Sequence, residues 1–479
     1  MVTSIEKENI PLQIVLLIIM ELDMNEILIA TNICRILNSA GFESYFVGGH
    51  VRDMLMEKES NDVDIATNAT PEIVVELFSV LEDYTVVPTG ILHGTVTIIK
   101  DSIHTEVTTY RKDLSCDGRN ATVEFAKTIE EDLSRRDFVI NSIAYNPLTE
   151  KFIDPYNGRK DIENRLIRCV GYPMHRFRED YLRLFRALRF KSTLNFDTAD
   201  MTWQHLCEVS KDNFSSTLSI ERVRDEINKC FKAADCPSDM IDDMHDCGLL
   251  DKYLPELSVC HKFEQNKYHK YDVYWHTLFA IDAVPKEFPL IRWAALFHDL
   301  GKPKSCENYG TPTASFHNHE FYSEEIARDI MKRFRFSNYD MEYVANLVKH
   351  HMFKCDSKMK DGAIRRFVCS LGIDYVDDIC ILKYADRKAN GLKTAEEMNI
   401  DNTGLKRRFT EILKKDCAFK IKDLAISGKD IIEEFNIAQG PLIGRLLKEC
   451  FEIVLENPEL NKRNTLLLHI NYLIFTDQI

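Results

Sequence analysis

Apolar residues three and four apart mark a helix over residues 24–40, ended by Gly41. A β-type run from Ser44 to Val47 follows and closes on Gly48 and Gly49. The period then changes repeatedly: HVRDMLM is helical, NDVDIAT is a strand, and Pro71 opens a helix through PEIVVELFSVL. Residues 84–110 alternate as strands do, in YTVVPTG, GTVTIIK and IHTEVTTY. Residues 111–123 are polar without a period and predict a flexible loop. From Arg176 almost to the end the period is helical, as in FREDYLRLFRALRF, SIERVRDEINKCF and LIRWAALFHDL. The predicted fold class is α+β: an N-terminal head with a small mixed β-sheet, then an all-α neck, body and tail. Composition shifts near 258–270 and 398–408 divide the chain into an extension (1–23), a head (24–160), a neck (161–258), a body (259–398) and a tail (399–479).

A length of 479 residues predicts two to four domains. The apolar run Ile14 to Met20 has roughly a third of the length that crosses a bilayer. It lacks a basic flank and a cleavage site, so neither a membrane span nor a signal peptide is expected. The formal net charge is −15, which argues against a protein that coats nucleic acid nonspecifically but leaves room for a local basic groove. The 14 cysteines are scattered without any CxxC, a pattern of reduced thiols in a cytoplasmic protein with no zinc ribbon.

Asp62 and Asp64, two apart on a strand, project from one face. A bare pair of this kind is ordinarily a solvated strand edge. Here Gly48 and Gly49 lie just upstream at a strand-to-helix turn, where backbone N–H groups can approach a triphosphate. Mg²⁺ bridges such carboxylates and substrate phosphates, and Glu106 on a later strand is the candidate third carboxylate.

Five segments occur in a recognisable order: YFVGGHVRDMLM, NDVDIAT, RRDFVINSIAY, IDPYNGRKDI and FREDYLRLFRALRF. Together they resemble the class II tRNA nucleotidyltransferases and the related bacterial poly(A) polymerases, over about residues 44–196 and more weakly to the C-terminus. The resemblance implies a nucleotidyltransferase head and an RNA-binding neck, with Asp62, Asp64 and Glu106 catalytic. It implies a nucleotide site of Gly48, Gly49, Arg52, Arg135, Arg136, Asp137, Asn141, Glu179, Asp180, Arg183 and Arg186. The usual threonine after RRDF is Val139 here, which removes any role for that hydroxyl.

Glu179, Asp180 and Arg183 fall on one predicted helix, with Glu179 spaced to hold Arg183. A carboxylate at Asp180 accepts from the exocyclic amine of cytosine or adenine, and a guanidinium at Arg183 donates to the ring nitrogen. Uracil and guanine would turn a carbonyl toward Asp180. Selection of C and A without a nucleic-acid template follows, which is the role of this EDxxR motif in the family resembled.

His276, His298, Asp299, His319, His350, His351 and Asp386 form a second set. It resembles the HD superfamily of metal-dependent phosphohydrolases and implies a second divalent metal (Mn, Ni, Co or Fe) in the body. The implied partners are the tRNA 3′ end, CTP and ATP, with neither DNA nor membrane. The expected activity is addition of C, C and A to tRNA, with phosphohydrolysis in the body. A poly(A) polymerase or a CC- or A-adding enzyme is the alternative within the superfamily. A nucleotide-sensing HD hydrolase with a vestigial head is disfavoured by the intact head motifs. Two basic stretches, Arg176 to Arg189 and Lys406 to Lys415, are candidate phosphate contacts.

Overall fold

Val47 pairs with Asp64 at the middle of the head's sheet, and this pairing brings the glycine turn beside the carboxylate strand. In the computed structural model, residues 12–476 are described apart from 61, 92–93, 117–120, 215–216, 268, 312, 354–358, 393–394 and 415–418. The helix read from residue 24 begins at Leu12: α1 is Leu12–Ser39, so the apolar run Ile14 to Met20 continues it rather than preceding it. Residues 1–11 of the expected extension lie outside the described residues.

The head strands are β1 (Ser44–Val47), β2 (Asp64–Thr67), β3 (Thr85–Gly90), β4 (Thr95–Lys100), β5 (Ile103–Thr109), β6 (Arg111–Cys116), β7 (Ala121–Phe125), β8 (Ala144–Asn146) and β9 (Lys151–Ile153). Seven form one sheet in the order β3-β4-β5-β2-β1-β8-β9. Its β2–β5 pair is parallel and its other pairs are antiparallel, which makes it mixed as expected. The segment expected as a loop over 111–123 instead contributes β6 and β7, which pair as a separate antiparallel ribbon. Polar residues without an apolar alternation give no strand period, and the ribbon is held by backbone pairing with a Lys112–Glu124 ion pair across it.

The helices that follow α1 are α2 (Gly49–Leu55), α3 (Pro71–Ser79), α4 (Ile129–Ser134), α5 (Gly158–Glu163), α6 (Pro173–Glu179), α7 (Leu182–Leu194), α8 (Asp200–Val209) and α9 (Ile220–Ala233). Tyr110, Val47, Ala66, Leu133 and Ala144 form a buried cluster under β1 and β2. Each fully buried large apolar side chain contributes about 1.5–3 kcal/mol, enough to fix which face of β2 turns outward.

The chain divides into two compact units. The first runs through Ile227 with residues 246–249, and the second comprises 228–245 and 250–479. The second unit is helical apart from one short hairpin, Cys306–Glu307 with Ser315–Phe316. Its tail has its own core, with Ile431, Leu446, Cys450, Leu466 and Ile470 buried together. No helix among the described residues is long and apolar enough to cross a membrane.

Candidate active site and metal centre

Positive φ at Gly48 (+75°) lets β1 turn directly into α2. A Cβ there would stand 3.3 Å from Arg136 Nη1 and 3.4 Å from Asp64 Oδ2, so both side chains lie against the turn. Asp62 is exposed and Asp64 is half-buried. Glu106 is exposed on β5, next to Val107, whose partner on β2 is Ile65. Burial and the carboxylates of Asp62 and Glu106 push the Asp64 carboxyl up to about 6, while Arg136 acts in the opposite sense. Carboxylates crowded in this way fit a divalent cation, whose charge relieves their repulsion.

The arginines of the candidate nucleotide site are held by carboxylates: Asp137 and Glu179 belong to the expected set, and Asp132 does not. Asp132 is 1% exposed and takes Arg135 on Oδ1 at 2.7 Å and Arg136 on Oδ2 at 3.1 Å. Its acid-first spacing of three and four from the two arginines was visible in the sequence. Asp137 accepts from Phe138 N, from Asn141 Nδ2 and from Arg186 Nε, and Asn141 Oδ1 accepts from Arg52 Nη1 at 2.9 Å. Arg52, Asn141, Asp137 and Arg186 thus form one continuous network. Arg176, also not singled out for this, donates to the carbonyls of Ser134 and Arg135 and ties α6 to the RRDF segment.

The EDxxR segment departs from its expected geometry. Asp180 has extended backbone (φ −148°, ψ 107°) and breaks the single predicted helix into α6 and α7. Glu179 holds Arg183 at 2.7 Å as its spacing predicts. Arg183 also donates to the carbonyls of Arg176 and Arg135. Asp180 is turned instead to Arg222 on α9, at 2.9 Å. The basic stretch from Arg176 to Arg189 is likewise not a free phosphate strip. Arg176 and Arg183 pair with Glu179, Arg178 with Asp212, Arg186 with Asp137, and Arg189 with Glu226. In the second stretch, Arg407 lies near Glu411 and Arg408 near Asp361, and Lys415 lies outside the described residues.

In the second unit six of the seven expected ligands converge. His276 comes from the helix Val273–Ala283, and His298 and Asp299 follow the helix Pro289–Phe297. His319 opens the helix His319–Arg333, His351 follows the helix Asn338–His350, and Asp386 lies on the helix Val376–Ala389. Asp299 Oδ2 lies 3.3 Å from His276 Nε2 and 3.2 Å from His298 Nε2. Its Oδ1 lies 3.1 Å from His319 Nε2 and 3.7 Å from His351 Nε2. Asp386 Oδ1 reaches His276 Nε2 at 3.3 Å.

His298, His319 and His351 have Nδ1 on the carbonyls of Ala295, Phe316 and Val348, at 2.7, 2.8 and 2.7 Å. With Nδ1–H donating, each Nε2 carries a bare lone pair directed at the centre. Burial pushes the His351 imidazole down to about 4, which keeps it neutral as a ligand must be. This donor set, split across the two oxygens of Asp299, fits divalent metal. Gly301 permits the close turn, because a Cβ there would stand 2.3 Å from His319 O. His350 is the correction: its Nδ1 faces Asn346 O at 2.8 Å and its Nε2 faces Ser370 Oγ at 2.9 Å, outside the cluster. Adjacent helical positions point about 100° apart, so only one of two consecutive histidines can face the centre. Lys302, outside the expected set, donates to Asp299 Oδ2 and to Gln265 Oε1.

Residues 44–168 match the poly A polymerase head domain, 281–391 the HD domain, and 214–260 the probable RNA and SrmB-binding site of polymerase A. The chain is 43% identical to a CCA-adding enzyme of Lactobacillus helveticus over 204 residues, 42% of this chain and 49% of that one. That match therefore spans about half of the relative's length. A Staphylococcus epidermidis CCA-adding enzyme is 31% identical over 445 residues, 91% of this chain and 96% of that one. The Bacillus stearothermophilus CCA-adding enzyme, solved in complex with CTP, superposes with a TM-score of 0.71 at 26% identity, covering 95% of this chain and 98% of that one. With a poly A polymerase head domain and an HD domain both matched, and a relative matched almost end to end, the chain belongs to the family of CCA-adding enzymes.

Proposed function

We propose that this chain adds C, C and A to the 3′ end of tRNA, taking nucleotides from CTP and ATP without a nucleic-acid template. The observation that carries the reading is the Gly48 turn, where Asp64 and Arg136 lie together and the carboxylates of Asp62 and Glu106 act on Asp64. The relatives it resembles are CCA-adding enzymes, one of them solved with CTP. Mg²⁺ held by Asp62 and Asp64 would supply charge for the triphosphate and activation of the tRNA 3′ hydroxyl. The chain's own groups do the rest. Arg135 and Arg136, fixed by Asp132, offer guanidinium donors to phosphate oxygens. The Asp137 network sets the wall for the sugar, and Asp180 and Arg183 read the base edge. The hydroxyl oxygen bonds to the α-phosphorus and pyrophosphate leaves.

The HD centre is proposed as a metal-dependent phosphohydrolase for a phosphate at an RNA 3′ end, with Mn, Ni, Co or Fe. Its inward-facing imidazole lone pairs favour a working centre over a scaffold. Cytoplasmic location accords with the reduced thiols. Asp62→Ala and Asp64→Ala are expected to abolish C and A incorporation while tRNA binding persists. Normal turnover in either variant removes the pair from catalysis.

A further inference from the structure

Asp180 accepts three hydrogen bonds, and they leave it one open position. A carboxylate offers about four lone-pair sites, two on each oxygen. Leu182 N donates to Oδ1 at 3.1 Å, and Arg222 donates Nη1 to Oδ1 at 3.3 Å and Nη2 to Oδ2 at 2.9 Å. Oδ1 is thereby filled. Oδ2 keeps one lone pair, and among the described residues no other donor reaches it. The two-point grip of a guanidinium fixes the plane of the carboxylate as well as its charge.

The attachment of Arg222 is itself rigid. It sits in the first turn of α9, a fourteen-residue helix (Ile220–Ala233). Glu226, one turn further on, is 1% exposed and takes Arg189 of α7. Phe214, shortly before α9, stacks on Tyr181 with ring centroids 4.4 Å apart and planes 9° apart. Tyr181 and Arg189, both on the C-terminal side of the helix break, thus hold that side against α9 and the segment before it.

We propose that Arg222 is a positioning residue for base selection. It holds Asp180 so that a single acceptor, the free lone pair of Oδ2, faces the base edge. An exocyclic amine of cytosine or adenine fills that position with a donor. The carbonyl of uracil or guanine meets it with a second acceptor and is rejected. Without Arg222 only the hydrogen bond from Leu182 N remains, and the carboxylate can turn about it toward Arg183, three residues on. It would then present no defined acceptor to any base. The inference rests on the proposed reading of Asp180 as a base acceptor.

The test measures kcat/KM for each of the four nucleotides on tRNA transcripts. Transcripts lacking CCA serve for CTP and UTP, and transcripts ending in CC serve for ATP and GTP. Arg222→Ala is expected to lower the CTP/UTP and ATP/GTP ratios by about tenfold or more, the scale of one two-point base contact. Arg222→Lys, which keeps the charge but not the fork, is expected to fall between Ala and the wild type, and it serves if the alanine variant fails to fold. In an Asp180→Ala background, Arg222→Ala is expected to change the ratios no further, since both act through one carboxylate. Unchanged ratios in the Arg222 variants, with relaxed ratios in Asp180→Ala, would overturn the proposal and leave Asp180 as the reader. An equal loss with all four nucleotides would make Arg222 a structural brace and also overturn it. Unchanged ratios in Asp180→Ala would show instead that the base is read elsewhere.

Discussion

His319 and His351 face each other through their Nε2 atoms, 3.2 Å apart, while each Nδ1 is engaged by a backbone carbonyl. Two bare lone pairs at that distance repel, and a cation between them turns repulsion into ligation. We expect the purified protein to bind divalent metal, measurable by elemental analysis. Removing metal with a chelator should lower the melting temperature, and Mn²⁺ or Ni²⁺ should restore it. At a hundredfold excess over Kd the linkage is worth about 2.7 kcal/mol. His319→Ala with His351→Ala should reduce the bound metal, whereas His350→Ala should leave it unchanged.

Asp132 acts on the nucleotide through Arg135 and Arg136. Asp132→Asn removes the partner of two guanidiniums at once and should cost about 3 kcal/mol of stability in urea unfolding. It should raise KM for CTP and ATP together, without changing the preference for either over UTP or GTP. A changed preference would mean that RRDF reads the base as well as the phosphates.

Stability of the first unit should depend on acid through Asp137. Burial raises this carboxyl, but the Arg186 ion pair and the hydrogen bond from Phe138 N outweigh it and bring it down to about 2. A depressed carboxyl stabilises the fold above its unfolded value near 4, and that contribution is lost as pH falls from about 4 to about 2. The shift is worth about 2–3 kcal/mol. Asp137→Asn should destabilise the protein by that amount at pH 6 and by less at pH 3, as read from paired urea titrations.

The sequence disclosed most where residue chemistry is local. The strand that begins at Asp64, the glycine turn before it, and the six residues that gather around Asp299 were legible from short motifs, whereas Asp62, expected on the same strand, precedes it. The helix break at Asp180 was not, because FREDYLRLF keeps an unbroken apolar period and the extended backbone is stabilised by Arg222, 42 positions away. The β6–β7 ribbon was hidden for a similar reason: its pairing is made by backbone groups, which leave no mark on side-chain pattern. The turning away of His350 depends on helical phase at a helix end, where VKHHMF gives no preference between neighbouring histidines.

The central claim is met most directly by tRNA transcripts that lack the final A, CA or CCA, incubated with each nucleotide supplied alone and then with CTP and ATP together. Two C additions to the transcript lacking CCA, one A addition to the transcript ending in CC, and a complete CCA end with both nucleotides are expected. None of these products is expected from Asp64→Ala. Long A tails on arbitrary RNA, or a reaction that stops after CC or adds only the terminal A, would contradict the claim.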